Sequence, residues 1–247
     1  MEDYPGIADT TIEYPNLIPI IVENPSLASV IINYPSFAPI IAENPEVIHS
    51  LIDTGYETWL NNNGTAYLTT QLSFPFGIRL CGKFYFISLS SGNYISIAGT
   101  YNGKHNLLRV SRGPELEICI NSNTTFTDKL EYSISFNTKY DLDLSNRASA
   151  YIKVNGLTVA SANFSGDIAP TPIAIFAITR PDGSGDKQIG TLKSSAIKLY
   201  DINDNIVLWL APIQNNGIPC MIDLLTGTKY FNQGAGSFTY SLEPKNA

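Results

Sequence analysis

Thiols, imidazoles and basic residues are all scarce in this chain, and each shortage removes a class of function. Cysteine occurs only at Cys81, Cys119 and Cys220, far apart and with no C-x-x-C pair, so neither a zinc ribbon nor a redox motif is expected. Three buried thiols are the expectation, with one disulfide as the alternative, because cysteine packs as a small hydrophobe. The two histidines, His49 and His105, stand at no zinc-ligand spacing from those cysteines. No G-x-S-x-G motif is present either. Lys and Arg number 15 against 22 Asp and Glu, a net charge of −7. Without a basic cluster, nucleic acid is excluded as a partner. No run approaches the ~18 uninterrupted apolar residues of a membrane span, so no membrane partner is expected. The opening MEDYPGIADT lacks the basic region and apolar run of a signal peptide, which leads us to expect folding in a cytoplasm. Gly183-Ser184-Gly185 and Gly234-Ala235-Gly236 do not stand between a strand and a helix, so no phosphate-binding loop and no cofactor is expected.

What the chain does have is, first, a repeat. Tyr4-Pro5, Tyr14-Pro15, Asn24-Pro25, Tyr34-Pro35 and Asn44-Pro45 recur every ten residues. The match improves at twenty, YPNLIPIIVENPSLASVIIN against YPSFAPIIAENPEVIHSLID. In the Asn-Pro units, Asn24 and Asn44 read as helix N-caps with Pro25 and Pro45 at the first helical position. In the Tyr-Pro units, Pro19 and Pro39 fall where a helix would need an N–H, so an extended segment and a turn are expected there. A ten-residue unit cannot bury its own apolar face and needs neighbours. Residues 1–55 are therefore read as an arm for anchoring or oligomerisation, with Tyr14, Pro15, Asn24, Pro25, Tyr34, Pro35, Asn44 and Pro45 as its marked positions. The alternative is a small helical solenoid packed on its own sandwich.

The texture changes after Gly55. Short alternating runs, among them Lys83–Ile87 and Ala150–Val154, are separated by turn signals every ten or so residues. Such spacing marks an all-β antiparallel sandwich over residues 56–247. Asn102-Gly103 and Asn155-Gly156 read as type I′ hairpin turns. Pro170 and Pro172 precede Ile173–Ile178, read as one continuous buried strand, and Asp182-Gly183-Ser184-Gly185 reads as a flexible loop.

Two segments carry a resemblance. GYETWLNNNGTAYLTT (residues 55–70) resembles the opening strand of concanavalin A-like (laminin G-like) domains of phage and gut-bacterial proteins. Residues 196–238 are similar to the last hairpin and tail of that family, through Tyr200, Asp201, Pro212, Gly217, Asp223, Thr226, Gly227, Phe231, Asn232, Gly234, Gly236 and Phe238. Pro219-Cys220-Met221 departs from the pattern, where the family usually carries a small residue and an aromatic. The resemblance implies a jelly-roll sandwich, which carries enzymes, lectins and structural modules alike. Together with the repetitive arm it looks like virion fibre or decoration proteins of tailed phages. That implies location in a virion, contact with other virion proteins through residues 1–55, and a homotrimer.

Catalytic signals are thin. Glucanases on this fold use Glu-x-Asp-x-x-Glu, whereas Glu115-Leu116-Glu117 offers two carboxylates on one strand face at ~6.5–7 Å, wider than the ~5–5.5 Å of a retaining pair. Solvent-facing charges explain that pair equally well. Asp201, Asn203, Asp204 and Asn205 could hold calcium, but no Gly and distal Glu complete an EF-type loop, and a turn accounts for them. Trp59 and Trp209 sit in apolar runs and read as core. Tyr101, Asn102, His105 and Asn106 gather an aromatic and hydrogen-bonding groups at one hairpin, making them the candidate glycan site. The resulting expectation is a non-enzymatic virion subunit adhering to host surface or glycan. The alternative is a carbohydrate-active enzyme or glycan-binding module of a gut bacterium.

Overall fold

The computed structural model describes residues 7–73, 77–89, 94–101, 103–111, 113–122, 129–164, 172–179, 185–186 and 190–245. Tyr4-Pro5, Asn102, Pro170 and Asp182-Gly183-Ser184 lie outside the described residues.

The repeat folds as a stack of short helices, α1 (Ala8–Glu13), α2 (Leu17–Glu23), α3 (Leu27–Asn33) and α4 (Phe37–Glu43). A 3₁₀ turn, Pro45–Val47, leads into α5 (Ile48–Leu51). Tyr-Pro and Asn-Pro units fold alike, which corrects the expected distinction between them. Pro19 and Pro39 occupy the third position of α2 and α4. The first-turn N–H groups of a helix have no intrahelical partner, so proline forfeits nothing there. Asn24 is the C-cap of α2 rather than an N-cap, whereas Asn44 is at once the C-cap of α4 and the N-cap residue of the 3₁₀ turn, with Pro45 opening that turn as expected. Asn44 Nδ2 donates to the Ile40 carbonyl at 3.0 Å and Asn24 Nδ2 to that of Ile20 at 3.2 Å, satisfying carbonyls that the helix end leaves open. The prolines follow one residue later, where a helix has already stopped.

Strands begin at Tyr56. In chain order they are β1 (Tyr56–Asn62), β2 (Leu68–Ser73), β3 (Arg79–Leu89), β4 (Ile95–Tyr101), β5 (His105–Val110), β6 (Glu115–Ser122), β7 (Lys129–Ser133), β8 (Thr138–Ser145) and β9 (Ser149–Val154). Then come β10 (Leu157–Asn163), β11 (Pro172–Ile175), β12 (Ile178–Thr179), β13 (Gly185–Asp186), β14 (Gly190–Tyr200), β15 (Ile206–Asn215), β16 (Ile218–Asp223), β17 (Lys229–Tyr230) and β18 (Phe238–Pro244). One sheet runs β10-β9-β8-β3-β14-β15-β16-β17, with β1 pairing β14 and β18. The other runs β13-β12-β4-β5-β6-β7, with β11 pairing β4 and β2. Asn155 and Gly156 both take positive φ, +50° and +82°, as a type I′ turn requires. The expected continuous strand Ile173–Ile178 is instead broken at Phe176 (φ +66°): β11 runs antiparallel to β4 and β12 parallel to it.

Two cores share one strand. Leu208, Leu210 and Met221 pack between the sheets with Phe84, Phe86 and Leu142. Trp209, Ala211 and Ile213 of β15, with Cys220, Ile222 and Leu224, face the opposite side and pack under the helices. The helices meet them with a decameric ladder, Ile7, Leu17, Leu27, Phe37 and Val47, each at most 1% exposed, joined by Ile21, Ile31 and Ile41. Phe37 contacts Trp209 edge-on at 5.3 Å between centroids. The repeat's need for neighbours is met within the chain. Its neighbours are adjacent repeats and the outer face of its own sandwich. Pro15, Pro25, Pro35 and Pro45 are exposed corners between helices, whereas Asn44 is buried.

The tail motif pins the two ends of the domain together. Buried Asp223 accepts from the Trp209 and Leu225 amides at 3.0 and 3.1 Å and from Thr226 Oγ1 at 2.7 Å. Asn232 Oδ1 accepts from the Tyr67 and Gly234 amides, and its Nδ2 donates to the Gly236 carbonyl at 2.6 Å. A Cβ on Gly234 would strike the Thr65 carbonyl oxygen, so only glycine lets the tail lie against the segment before β2.

Candidate functional site

A shaped cavity surrounded by titratable groups opens where the first sheet forks. The early part of β14 pairs with β1 through Ser194, and the later part pairs with β15 from Ile197. A bulge lies between Ser194 and Ile197, and Gly82 of β3 admits it, since a Cβ there would come within 2.9 Å of the Ala196 carbonyl oxygen. The fork leaves a cleft of about 360 Å³, walled by the end of the repeat at His49–Asp53 and floored by Cys81, Ser195, Lys198 and Tyr200. A volume of that order matches small-molecule sites.

Its charged groups are arranged by position. At the rim, Lys83 pairs with the almost fully buried Glu57, and Lys245 pairs with Asp53 at 2.6 Å. That lysine and the Gly55 amide hold the Asp53 carboxyl below the usual range. His49 Nδ1 lies 2.6 Å from Thr54 Oγ1, and burial lowers its pKa. On the floor, burial pushes the Cys81 thiol up to about 11 and the Tyr200 phenol up to about 12. Lys198 is half-buried and its pKa is lowered by the same desolvation; its ammonium sits 3.8 Å from the centroid of the Trp209 ring. The cleft thus offers hydroxyl, imidazole, carboxylate and ammonium groups within one concavity.

Lys198 also begins a polar row. Register places Trp209, Lys198, Cys81, Asp143, Lys153 and Thr158 side by side across six strands. Arg79 forks onto Asp143 with two 2.9 Å bonds. Burial raises the Asp143 pKa, but the bonds from Arg79 and Tyr151 outweigh it and the net shift is downward.

The hairpin expected from the sequence assembles only in part. Tyr101 and His105 pair across β4 and β5 with rings 4.6 Å apart. Asn106 points to the other side of its strand: it is buried and borders, with Gly99, Thr100 and Asn146, a void of about 10 Å³. Strand alternation separates neighbours in sequence onto opposite faces. Asn106 therefore does not share a face with Tyr101 and His105.

Glu115 and Glu117 also depart from expectation. Glu117 is buried, accepting from Arg109 Nε at 2.7 Å and Lys129 Nζ at 3.2 Å, with the Arg109 and Glu117 side chains both 3% exposed. Glu131 faces Glu117 from β7, and the three carboxylates approach within 4.8 Å of one another. The two cations on Glu117 account for that cluster as a structural ion-pair network. Asp201 forms a turn, accepting from the Asn203 and Asn205 amides, while Asp204 pairs with Arg147 and Arg79. The three cysteines are free thiols.

Sequence reading missed the cleft. Its available signals were an isolated glycine inside a strand, Gly82, the small pair Ser195-Ala196, and Lys198 alternating with apolar residues.

No protein family's profile matches this chain, and neither does any curated protein. Among solved structures, a candidate carbohydrate binding protein from Bacteroides ovatus is similar with a TM-score of 0.53 at 14% identity, over 77% of this chain. The chain spans 61% of that structure's length. A heptameric SAP-like pentraxin from Limulus polyphemus matches 78% of this chain and 97% of its own at 9% identity, with a TM-score of 0.47. The likeness is one of fold, an antiparallel β-sandwich of two sheets as expected from the sequence. Weaker matches include the alginate lyase A1-II′, at a TM-score of 0.37 and 14% identity over 52% of this chain and 64% of its own. Because lyase, sialidase and glycosidic hydrolase structures stand among the matches, the expectation that the chain is not an enzyme is withdrawn. At these scores they assign it no reaction.

Proposed function

We propose that this protein is a glycan-binding sandwich whose binding site is the cleft between the helical repeat and the forked sheet. One observation carries the reading: repeat and sandwich jointly wall a cavity lined by hydroxyl, imidazole, carboxylate and ammonium groups, the complement of a polyhydroxylated ligand. The similar sandwich of a candidate carbohydrate binding protein supports it. The repeat contributes His49–Asp53 to one wall, so on this reading it builds the site as well as covering β15. Titration calorimetry of the full chain against a panel of neutral and acidic oligosaccharides is the test. Ala196→Phe should fill the cleft and abolish the heat of binding without shifting the melting temperature. Absence of binding to every oligosaccharide, or unchanged binding by Ala196→Phe, would overturn the reading.

A second reading concerns assembly. Ile12, Val22 and Ile32, ten residues apart, are 80%, 66% and 42% exposed, an apolar ridge on the outer side of the stack. This ridge supports the proposal of a virion fibre subunit that trimerises through its repeats, with a second copy of this chain as the occupant. Light scattering should give a trimer for the native chain and a monomer for Ile12→Glu with Val22→Glu. A monomeric native chain contradicts it.

A further inference from the structure

The cleft contains lysines at Lys83, Lys198 and Lys245, and they are not equivalent. Lys83 is neutralised by Glu57 and Lys245 by Asp53. Lys198 makes no ion pair or hydrogen bond among the described residues, and its one close polarisable neighbour is the Trp209 ring. Its partner across β3 is Cys81, a thiol held neutral at pH 7 by burial, which supplies no counter-charge. The next carboxylate along the row, Asp143, is already committed to Arg79 and Tyr151. Asp141 also lines the cleft but is exposed.

An ammonium partly removed from water without a counter-charge is costly, and a ring face offsets only part of that cost. An apolar side chain over Trp209 would avoid it. The cation makes chemical sense if the site is completed by an anion arriving from outside, through a charge-assisted hydrogen bond.

Resting on the glycan reading above, we propose that the ligand is an acidic glycan and that Lys198 receives the carboxylate or sulfate ester of one sugar residue on the cleft floor. Lys198 then selects acidic over neutral sugars, while His49, Ser195 and the rim carboxylates meet the hydroxyls of the same ring.

The test uses the full chain and three probes: oligogalacturonate for a carboxylate, a sulfated galactan oligomer for a sulfate ester, and a neutral galactan oligomer. At least one acidic probe should bind about tenfold more tightly than the neutral one, one charge-assisted contact being of that order. Lys198→Met should abolish the preference for the acidic probe, and Lys198→Arg, which keeps the charge should methionine disturb the floor, should retain it. Preference for the carboxylate or the sulfate probe identifies which anion the site takes. Equal binding of acidic and neutral probes by the native chain, or a preference that survives in Lys198→Met, overturns this inference and leaves the glycan reading standing. Binding to none of the three, nor to any neutral sugar, overturns both.

Discussion

The inter-sheet core and the core beneath the helices are built by opposite rules, yet they share a wall. The first joins residues far apart in sequence: Phe84 of β3, Leu142 of β8 and Leu210 of β15 meet only after the sandwich closes. The second is laid down locally, ten residues at a time, by a ladder in which Leu17, Leu27, Phe37 and Val47 occupy equivalent positions. A helix of seven residues is too short to persist alone in water, so each depends on its neighbours and on β15. That strand supplies alternate residues to both cores. Local repetition can therefore produce a layer that packs as part of the fold, sharing a strand with the inter-sheet core.

Several substitutions bear on that comparison. Phe84→Ala should cost the inter-sheet core ~3–5 kcal/mol, read as a lowered denaturation midpoint. Phe37→Ala, also fully buried, should cost ~3 kcal/mol in the same single transition. A separate early transition for Phe37→Ala would divide the two regions into independent units. Asp223→Ala strands two amides and a hydroxyl beside Trp209 and should cost ~2 kcal/mol, weakening both cores together because Asp223 fastens the turn next to their shared strand. The smallest effect concerns the last turn of the repeat. Burial lowers the His49 pKa against the opposing field of Glu46, so the folded state prefers the neutral ring. Its contribution is complete above about pH 6.5, the ordinary histidine value, and is lost as pH falls through that value. Urea midpoints at pH 7.5 and 5.5 should differ less in His49→Asn than in the native chain.

Much of the sandwich is legible in the sequence because strand alternation and turn chemistry are local signals. Asn155-Gly156 demands positive φ and receives it. The tail motif from Asp223 to Phe238 encodes its own hydrogen bonds. The repeat is just as visible, but its destination is not. Nothing local distinguishes Trp209 packing under helices from Trp209 in an inter-sheet core, since both require only an apolar strand. The prolines misled for a related reason: helix phase decides whether Pro19 breaks a helix or fits its first turn, and the phase is set by which face meets β15. The cleft escapes sequence reading because it depends on β14 exchanging β1 for β15 at a bulge, a long-range event announced only by small residues. Tyr101 and His105 meet as neighbours in a hairpin must, while Asn106 shows that proximity in sequence does not place three side chains on one face.

The central claim is that the repeat is docked on the sandwich of its own molecule. Hydrogen exchange of the α2–α4 amides across a wide dilution series tests it most directly. Intramolecular docking predicts protection that is independent of protein concentration. Protection that disappears on dilution would mean that another chain covers the repeat, and would contradict the account.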